Sequence, residues 1–258
     1  MKLSVIIPAH NEEGCIESTL RALVRELRTN SIPFEILAVN DNSNDETGAI
    51  LEHLSLEIPE LRPIKNPPPN GFGFAVRQGL KHFSGDAVAI YMADASDTPE
   101  DLVRFYREMK LCQVDCVFGS RWEKQSKVVD YPWFKLILNR IVNHLIQILF
   151  GIRYNDVTNA FKLYSRRTIK GVEPILSPHF NLTVELPLKA IVRGFSYSVL
   201  SNSWINRKTG ESKLKIKEMG SRYLFIILYC FIEKWLSRGD YRTKSSVKTP
   251  KESLPFSR

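Results

Sequence analysis

No stretch of this 258-residue sequence reaches the roughly 20 apolar residues that a membrane-spanning helix needs. Its longest unbroken apolar run, Tyr223–Ile232, is half that length and is flanked by Arg222, Lys234 and Trp235. Such a run is either a core helix or one lying in a membrane interface. The first apolar run, Leu3–Ile7, ends at Pro8 and gives way to His10, Asn11 and Glu12, so it does not read as a secretory signal and a cytoplasmic protein is expected. Cysteine is scarce. Cys15, Cys112, Cys116 and Cys230 have no zinc-site spacing, which points to free thiols in a reducing compartment. There is no internal repeat. No aromatic-and-basic interleaving of the nucleic-acid-binding type occurs either, so nucleic acid is not an expected partner.

Charge is present but unevenly placed. Residues 1–120 carry 11 Lys/Arg against 18 Asp/Glu, whereas residues 121–258 carry 25 against 10. Two tasks along the chain are expected, the basic half facing an anionic membrane or a phosphorylated substrate.

Apolar periodicity in the first 120 residues alternates strand with helix. Strands are predicted at Leu3–Ile7, Phe34–Val39, Ala87–Met92 and Asp115–Phe118. Helices are predicted at Glu12–Arg28, Asp45–Leu56, Gly71–Phe83 and Asp101–Leu111. This order predicts an α/β fold, a mostly parallel sheet flanked by helices. Ligands on such sheets bind beyond the carboxyl ends of the strands. Five polar loops belong there: Pro8–Glu12, Asn40–Asp45, the glycine-rich Asn70–Gly79, Ala93–Asp97 and Gly119–Arg121. A helix follows at Trp133–Phe150, with apolar residues at Phe134, Ile137, Leu138, Ile141, Leu145, Ile148 and Leu149, and with Lys135, Asn139, Asn143 and Gln147 on its other face and Arg140 beside them.

These loops, in this order, resemble the family-2 glycosyltransferases of the GT-A (Rossmann-like) fold, and within them the polyprenyl-phosphate sugar synthases of the dolichol-phosphate mannose synthase type. The resemblance covers about residues 3–215. It rests on Ser4–Pro8 with Asn11 and Glu12; on Asp41 with Ser43 and Thr47; and on Gly71-x-Gly73-x-Ala75-x-Arg77-x-Gly79-Leu80. It continues through Ala93-Asp94 with Ser96 and Pro99, Gly119-Ser120-Arg121, Asn159–Tyr164 and Arg207-x-x-Gly210-Glu211-Ser212-Lys213.

The resemblance implies a nucleoside-diphosphate sugar donor held by Pro8, His10, Glu12, Asn40, Asp41, Gly73, Arg77 and Ala93. It implies a divalent cation, Mg²⁺ or Mn²⁺, on Asp94, with Asp97 as a second ligand. It places Arg121, Lys135, Asn139, Arg140, Arg207 and Lys213 on the acceptor phosphate, and it makes Asp94, Asp97, Glu185 and Arg121 the catalytic set, with Glu185 a candidate base or a positioning residue. The chain departs from the family pattern at His10, Asn40, Lys135 and Asn139. It also departs at Met92, where the metal motif's first aspartate is missing; a thioether is a poor ligand for these hard cations.

The expected domain plan is a GT-A domain over 1–215, with a nucleotide-sugar half at 1–120 and an acceptor half at 121–215. An apolar C-terminal helix at 216–236 and a disordered basic tail at 237–258 follow. The expected activity is inverting transfer of a hexose to a polyprenyl phosphate at the cytoplasmic face of a membrane. A saccharide hydroxyl acceptor and a non-catalytic nucleotide-binding relative are the alternatives. A second copy of the chain or a membrane protein is a possible further partner.

Overall fold

The computed structural model describes residues 1–205 and 216–243. Strands β1 (Leu3–Ala9), β2 (Phe34–Asn40), β3 (Leu61–Lys65), β4 (Ala87–Ile90) and β5 (Cys116–Ser120) alternate with helices α1 (Ile16–Thr29), α2 (Thr47–Glu57), α3 (Phe72–His82) and α4 (Pro99–Cys112). After β5 come β6 (Val128–Val129), α5 (Trp133–Phe150), β7 (Lys162–Ser165), α6 (Arg166–Gly171), α7 (Leu182–Val192), β8 (Tyr197–Ser201), β9 (Trp204–Ile205) and α8 (Ile216–Leu236).

Seven strands form one sheet in the order β3-β2-β1-β4-β7-β5-β8, with only β7 antiparallel to its neighbours. The central strands are buried on both faces, which explains why they read as continuous apolar runs rather than alternating ones. Val5 and Ile7 point into a core shared with Leu20 and Leu23 of α1 and Phe105 of α4. Ile6 points the other way, into a core shared with Val76 of α3, Leu186 of α7 and Ile226 of α8. Three strands escape the periodicity. The exposed edge strand β3 contains Arg62, Pro63 and Lys65, a composition typical of an edge. The short β7 and the half-exposed β8 carry no long apolar run.

α5 inverts the usual orientation of an amphipathic helix. Its buried residues are Asn143, Ile146 and Phe150. Its apolar stripe faces outward, with Trp133 73%, Ile141 60% and Ile148 66% exposed. The polar face turns inward because its amides are hydrogen-bonded: Asn139 Nδ2 and Asn143 Nδ2 donate to Thr158 Oγ1 at 2.7 and 3.0 Å. α8 packs on α5 through Phe150 and Phe231, at 6.2 Å between ring centroids, and it too exposes Leu224, Phe225, Leu228, Ile232 and Trp235. No helix among the described residues is long and apolar enough to cross a membrane.

Candidate active site

Strand order reverses between β1 and β4, and the loops leaving the carboxyl ends of these two strands bound a crevice. A cavity of about 400 Å³ lies there. Its lining includes Pro8, His10 and Glu12 from the β1 loop, Asp41 from the β2 loop, Gly71 and Phe72 from the start of α3, and Met92 from the β4 loop. The opposite wall is His179 and Phe180, joined by Arg222 from α8.

These loops are held in place by one another. His10 Nδ1 lies 2.8 Å from the Asp41 carbonyl oxygen. The Asp41 carboxylate accepts from Gly71 N at 2.9 Å, Asn66 Nδ2 at 2.7 Å and Asn70 Nδ2 at 3.1 Å, so it ties the β2 loop to the glycine loop. Gly71 has φ +142°, and a Cβ there would lie 2.6 Å from His179 Nδ1. A Cβ on Gly73 would overlap the Ser177 carbonyl oxygen and lie 2.6 Å from the Pro178 carbonyl carbon. The glycines therefore admit the 177–180 segment against α3, where Phe72 stacks on Phe180 at 4.4 Å.

Glu185 secures that same segment from behind. Its carboxylate is fully buried and accepts from Leu176 N and Ser177 N, each at 2.7 Å, and from Lys189 Nζ at 2.6 Å. Enclosed in this way, it has no face turned to a substrate proton. Both carboxylate oxygens are committed to the 176–177 backbone, and one of them also to Lys189.

The β4 loop carries the acidic pair. Asp94 Oδ1 accepts from Ser96 N at 3.1 Å across a turn in which Ala95 takes a left-handed φ of +56°. Asp97 is buried, and its Oδ2 has no hydrogen-bond partner among the described residues. Burial, and secondarily the Asp94 charge, pushes its carboxyl up to about 7. A buried carboxylate oxygen without a partner, beside a second carboxylate, fits a cation-binding position. Among the described residues no three His, Cys, Asp or Glu side chains converge, so a cation at this position would draw at most these two carboxylates from them. That share suits Mg²⁺ or Mn²⁺, whose remaining positions fall to water and substrate phosphates.

Beyond β5 the acceptor candidates gather around Trp122. Arg121 Cζ lies 5.5 Å from the Trp122 ring and 5.5 Å from that of Tyr131, and Arg140 Cζ lies 5.6 Å from Trp122. Trp122 Nε1 donates to Asn139 Oδ1 at 3.2 Å. Arg121 is buried in a two-pronged pair with Asp156. Burial alone would pull the guanidinium down, but the carboxylate more than offsets that and keeps it charged. Lys162, also buried, donates to the carbonyls of Asn159, of Val157 at 3.0 Å and of Thr183 at 3.1 Å. It thereby joins β7, the loop before it and α7.

Several sequence expectations need correction. Asn40 does not line the cavity; its Oδ1 accepts from Ser43 N at 3.0 Å and shapes the β2 loop. Gly73 lies where α3 meets the 177–179 segment and is not part of the cavity lining. Arg77 lies against the Phe74 ring at 5.6 Å, outside the lining, and Ala93 is buried with its carbonyl accepting from Thr19 Oγ1 at 3.0 Å. Arg207 and Lys213 lie outside the described residues. Two groups of cavity residues are not evident in the sequence. Arg222 reads there only as a flank of the apolar run. His179 and Phe180 carry no signal until Gly71 and Gly73 are seen to accommodate them.

A cavity at the switch point of a mostly parallel sheet, lined by Glu12, Asp41, two histidines and Phe180, is where α/β proteins of this topology bind their ligands. Residues 4–172 match the model of glycosyl transferase family 2, and the chain belongs to that family. It is 28% identical over 216 residues to the polyprenol monophosphomannose synthase of Mycolicibacterium smegmatis, covering 81% of this chain and 80% of that one. It is 28% identical over 257 residues to the dolichol-phosphate mannosyltransferase of Pyrococcus furiosus, covering 96% of this chain and 68% of that one. In fold it matches the glucosyl-3-phosphoglycerate synthase of Mycobacterium tuberculosis, solved with Mn²⁺, UDP-glucose and phosphoglyceric acid. That TM-score is 0.69 at 15% identity, with 89% and 79% of the two chains covered. The protein is thus a GT-A-fold glycosyltransferase.

Proposed function

We propose that this glycosyltransferase moves a hexose, with inversion, from a nucleoside-diphosphate sugar to the phosphate of a polyprenyl phosphate at the cytoplasmic face of a membrane. The observation that carries this reading is the inverted helix α5. It sets Asn139 and Arg140 beside Arg121 and Trp122 while holding Ile137, Ile141 and Ile148 outward. An acceptor with an ionic head and a long apolar tail matches a helix built this way; a free saccharide matches only its polar side. The exposed residues of α8 extend the same apolar surface, as expected of helices that lie in a lipid interface. The two mannosyl relatives carry polyprenol and dolichol phosphate in their names, which supports the same acceptor class.

In this reading the nucleotide occupies the cavity between the β1 loop and the His179–Phe180 wall, with His10 and Phe180 offering ring faces to the base. Asp94 and Asp97 would hold Mg²⁺ or Mn²⁺, which supplies charge stabilisation to the departing diphosphate. Arg121, fixed by Asp156, and Arg140 orient the acceptor phosphate. With Glu185 committed to its own loop, the nucleophile arrives already ionised, as a phosphate monoester does near neutral pH, and needs no strong base. The deciding experiment incubates the protein with polyprenyl phosphate and a panel of nucleotide sugars, with and without Mg²⁺ or Mn²⁺. A glycosylated lipid is expected; transfer to saccharide hydroxyls alone would overturn the reading.

A further inference from the structure

The nucleotide cavity contains carboxylates where an anionic donor has to bind. Glu12 and Asp41 both line it, and Met92 stands on its lip in place of a carboxylate that would share a cation. Losing that aspartate weakens the hold on any metal, and hence the neutralisation of a diphosphate. A compensating cation has to come from elsewhere.

Arg77, the basic residue of the glycine loop, does not line the cavity. Arg222 does, and among the described residues it is the only Lys or Arg in the lining. It is half-buried on α8 and, among the described residues, has neither an ion pair nor a hydrogen bond. The other arginines near the sheet edge are already bound: Arg121 to Asp156, and Arg104 to Asp101 at 2.6 Å. A half-buried guanidinium without an ion pair among the described residues, lining a cavity of nucleotide size, is suited to an anion. Its neighbour Tyr223 fixes the helix at this point by donating to the Phe180 carbonyl at 3.4 Å, which ties α8 to the cavity wall.

We infer that Arg222 binds the diphosphate of the donor directly and takes over part of the charge neutralisation that the aspartate replaced by Met92 would have secured through a metal. This rests on the cavity being the donor site. It also gives α8 two faces with different tasks, since Leu224, Phe225 and Leu228 of the same helix point away from the protein.

The test is calorimetric titration of UDP, GDP and the matching monophosphates, in EDTA and in Mn²⁺, into wild type, Arg222→Gln and Arg222→Lys. In EDTA the wild type is expected to prefer diphosphate to monophosphate. Arg222→Gln should lose about tenfold in diphosphate affinity, the scale of a charged hydrogen bond, with monophosphate affinity nearly unchanged. Arg222→Lys should retain part of the preference, because it keeps the charge but not the fork. Equal diphosphate affinity in wild type and Arg222→Gln would overturn the inference while leaving the donor site in place. A wild type that binds none of these nucleotides, with or without Mn²⁺, would overturn the donor-site reading itself.

Discussion

Arg121 and Asp156 form a pair from which water is almost excluded: Nε lies 2.8 Å from Oδ2 and Nη2 2.7 Å from Oδ1, with the arginine side chain 9% exposed. The Arg121 backbone N–H is a third donor to this carboxylate, reaching Oδ2 at 2.9 Å. Removing one member of a buried pair leaves the other charge unmatched. Asp156→Ala is therefore expected to destabilise the fold by about 3–5 kcal/mol, measured by urea unfolding. Arg121→Lys keeps a charge but not the two-pronged geometry, so it should lower acceptor use far more than nucleotide affinity in separate titrations.

Gly73 faces the 177–179 segment with no room for a methyl group. Gly73→Ala is expected to push His179 and Phe180 away from the cavity, destabilising by about 1–3 kcal/mol and weakening nucleotide binding at least as much as stability. Gly14→Ala is the control, since nothing lies within 4 Å of its would-be Cβ. Equal effects at the two positions would show that the segment does not form the nucleotide wall.

In the proposed reading Asp94 and Asp97 would hold a cation alongside the donor. Asp94→Asn is expected to reduce metal-dependent transfer by about 10²–10³-fold, a loss typical of one stabilising group at a developing charge. Mn²⁺ titration in the presence of nucleoside diphosphate should show the affinity falling in parallel. Unchanged turnover would remove Asp94 from the site.

Ile141 and Leu228 are exposed, so charging them should cost the fold little, about 0.5 kcal/mol or less. On a lipid-facing surface the same change is expensive. The double variant Ile141→Glu/Leu228→Glu is expected to keep the wild-type melting curve but to lose flotation with anionic vesicles. Flotation equal to that of the wild type would mean that this face has another partner.

Glu35 sets an acid limit on stability. Burial alone would raise its carboxyl, but hydrogen bonds from Ser4 Oγ (2.6 Å) and Ser84, together with the Lys2 charge, bring it down to about 2 from an ordinary 4.5. A lowered folded value means stability that is present above pH 4.5 and lost as pH falls toward 2. The contribution is on the order of 3 kcal/mol. The gap in unfolding free energy between wild type and Glu35→Gln should therefore be widest above pH 5 and close between pH 4.5 and 2.

Much of the fold is written in local periodicity. Ile16, Leu20, Leu23 and Leu27 recur at helical spacing, and all of them are buried on α1. The runs at Leu3–Ile7 and Phe34–Val39 are strands because only a sheet covered on both faces buries every residue of such a run. β7 was not legible. Its four residues include Lys162, whose amine is buried because the carbonyls of Val157 and Asn159 in the preceding loop and of Thr183 on α7 accept from it, and the last of these is brought in only by folding. The outward stripe of α5 was equally hidden. A helical period shows that one face is apolar, not which face meets the core, and here Thr158 decides the matter by bonding Asn139 and Asn143.

By itself, the sequence determined the family, the alternation of strand and helix, and which loops share the carboxyl edge of the sheet, because these depend on residue order and spacing. Tertiary structure decided which of the residues in those loops face the cavity. Asn40 and Arg77 turn away, Glu185 is enclosed by the loop it supports, and Arg222 comes in from a helix more than a hundred residues beyond Asp94 and Asp97. The physical reason is that a side chain's role follows from the partners that reach it through space. Glu185 is bonded on all sides by Leu176, Ser177 and Lys189, whereas Asp97 Oδ2, beside Asp94, is left without a partner among the described residues.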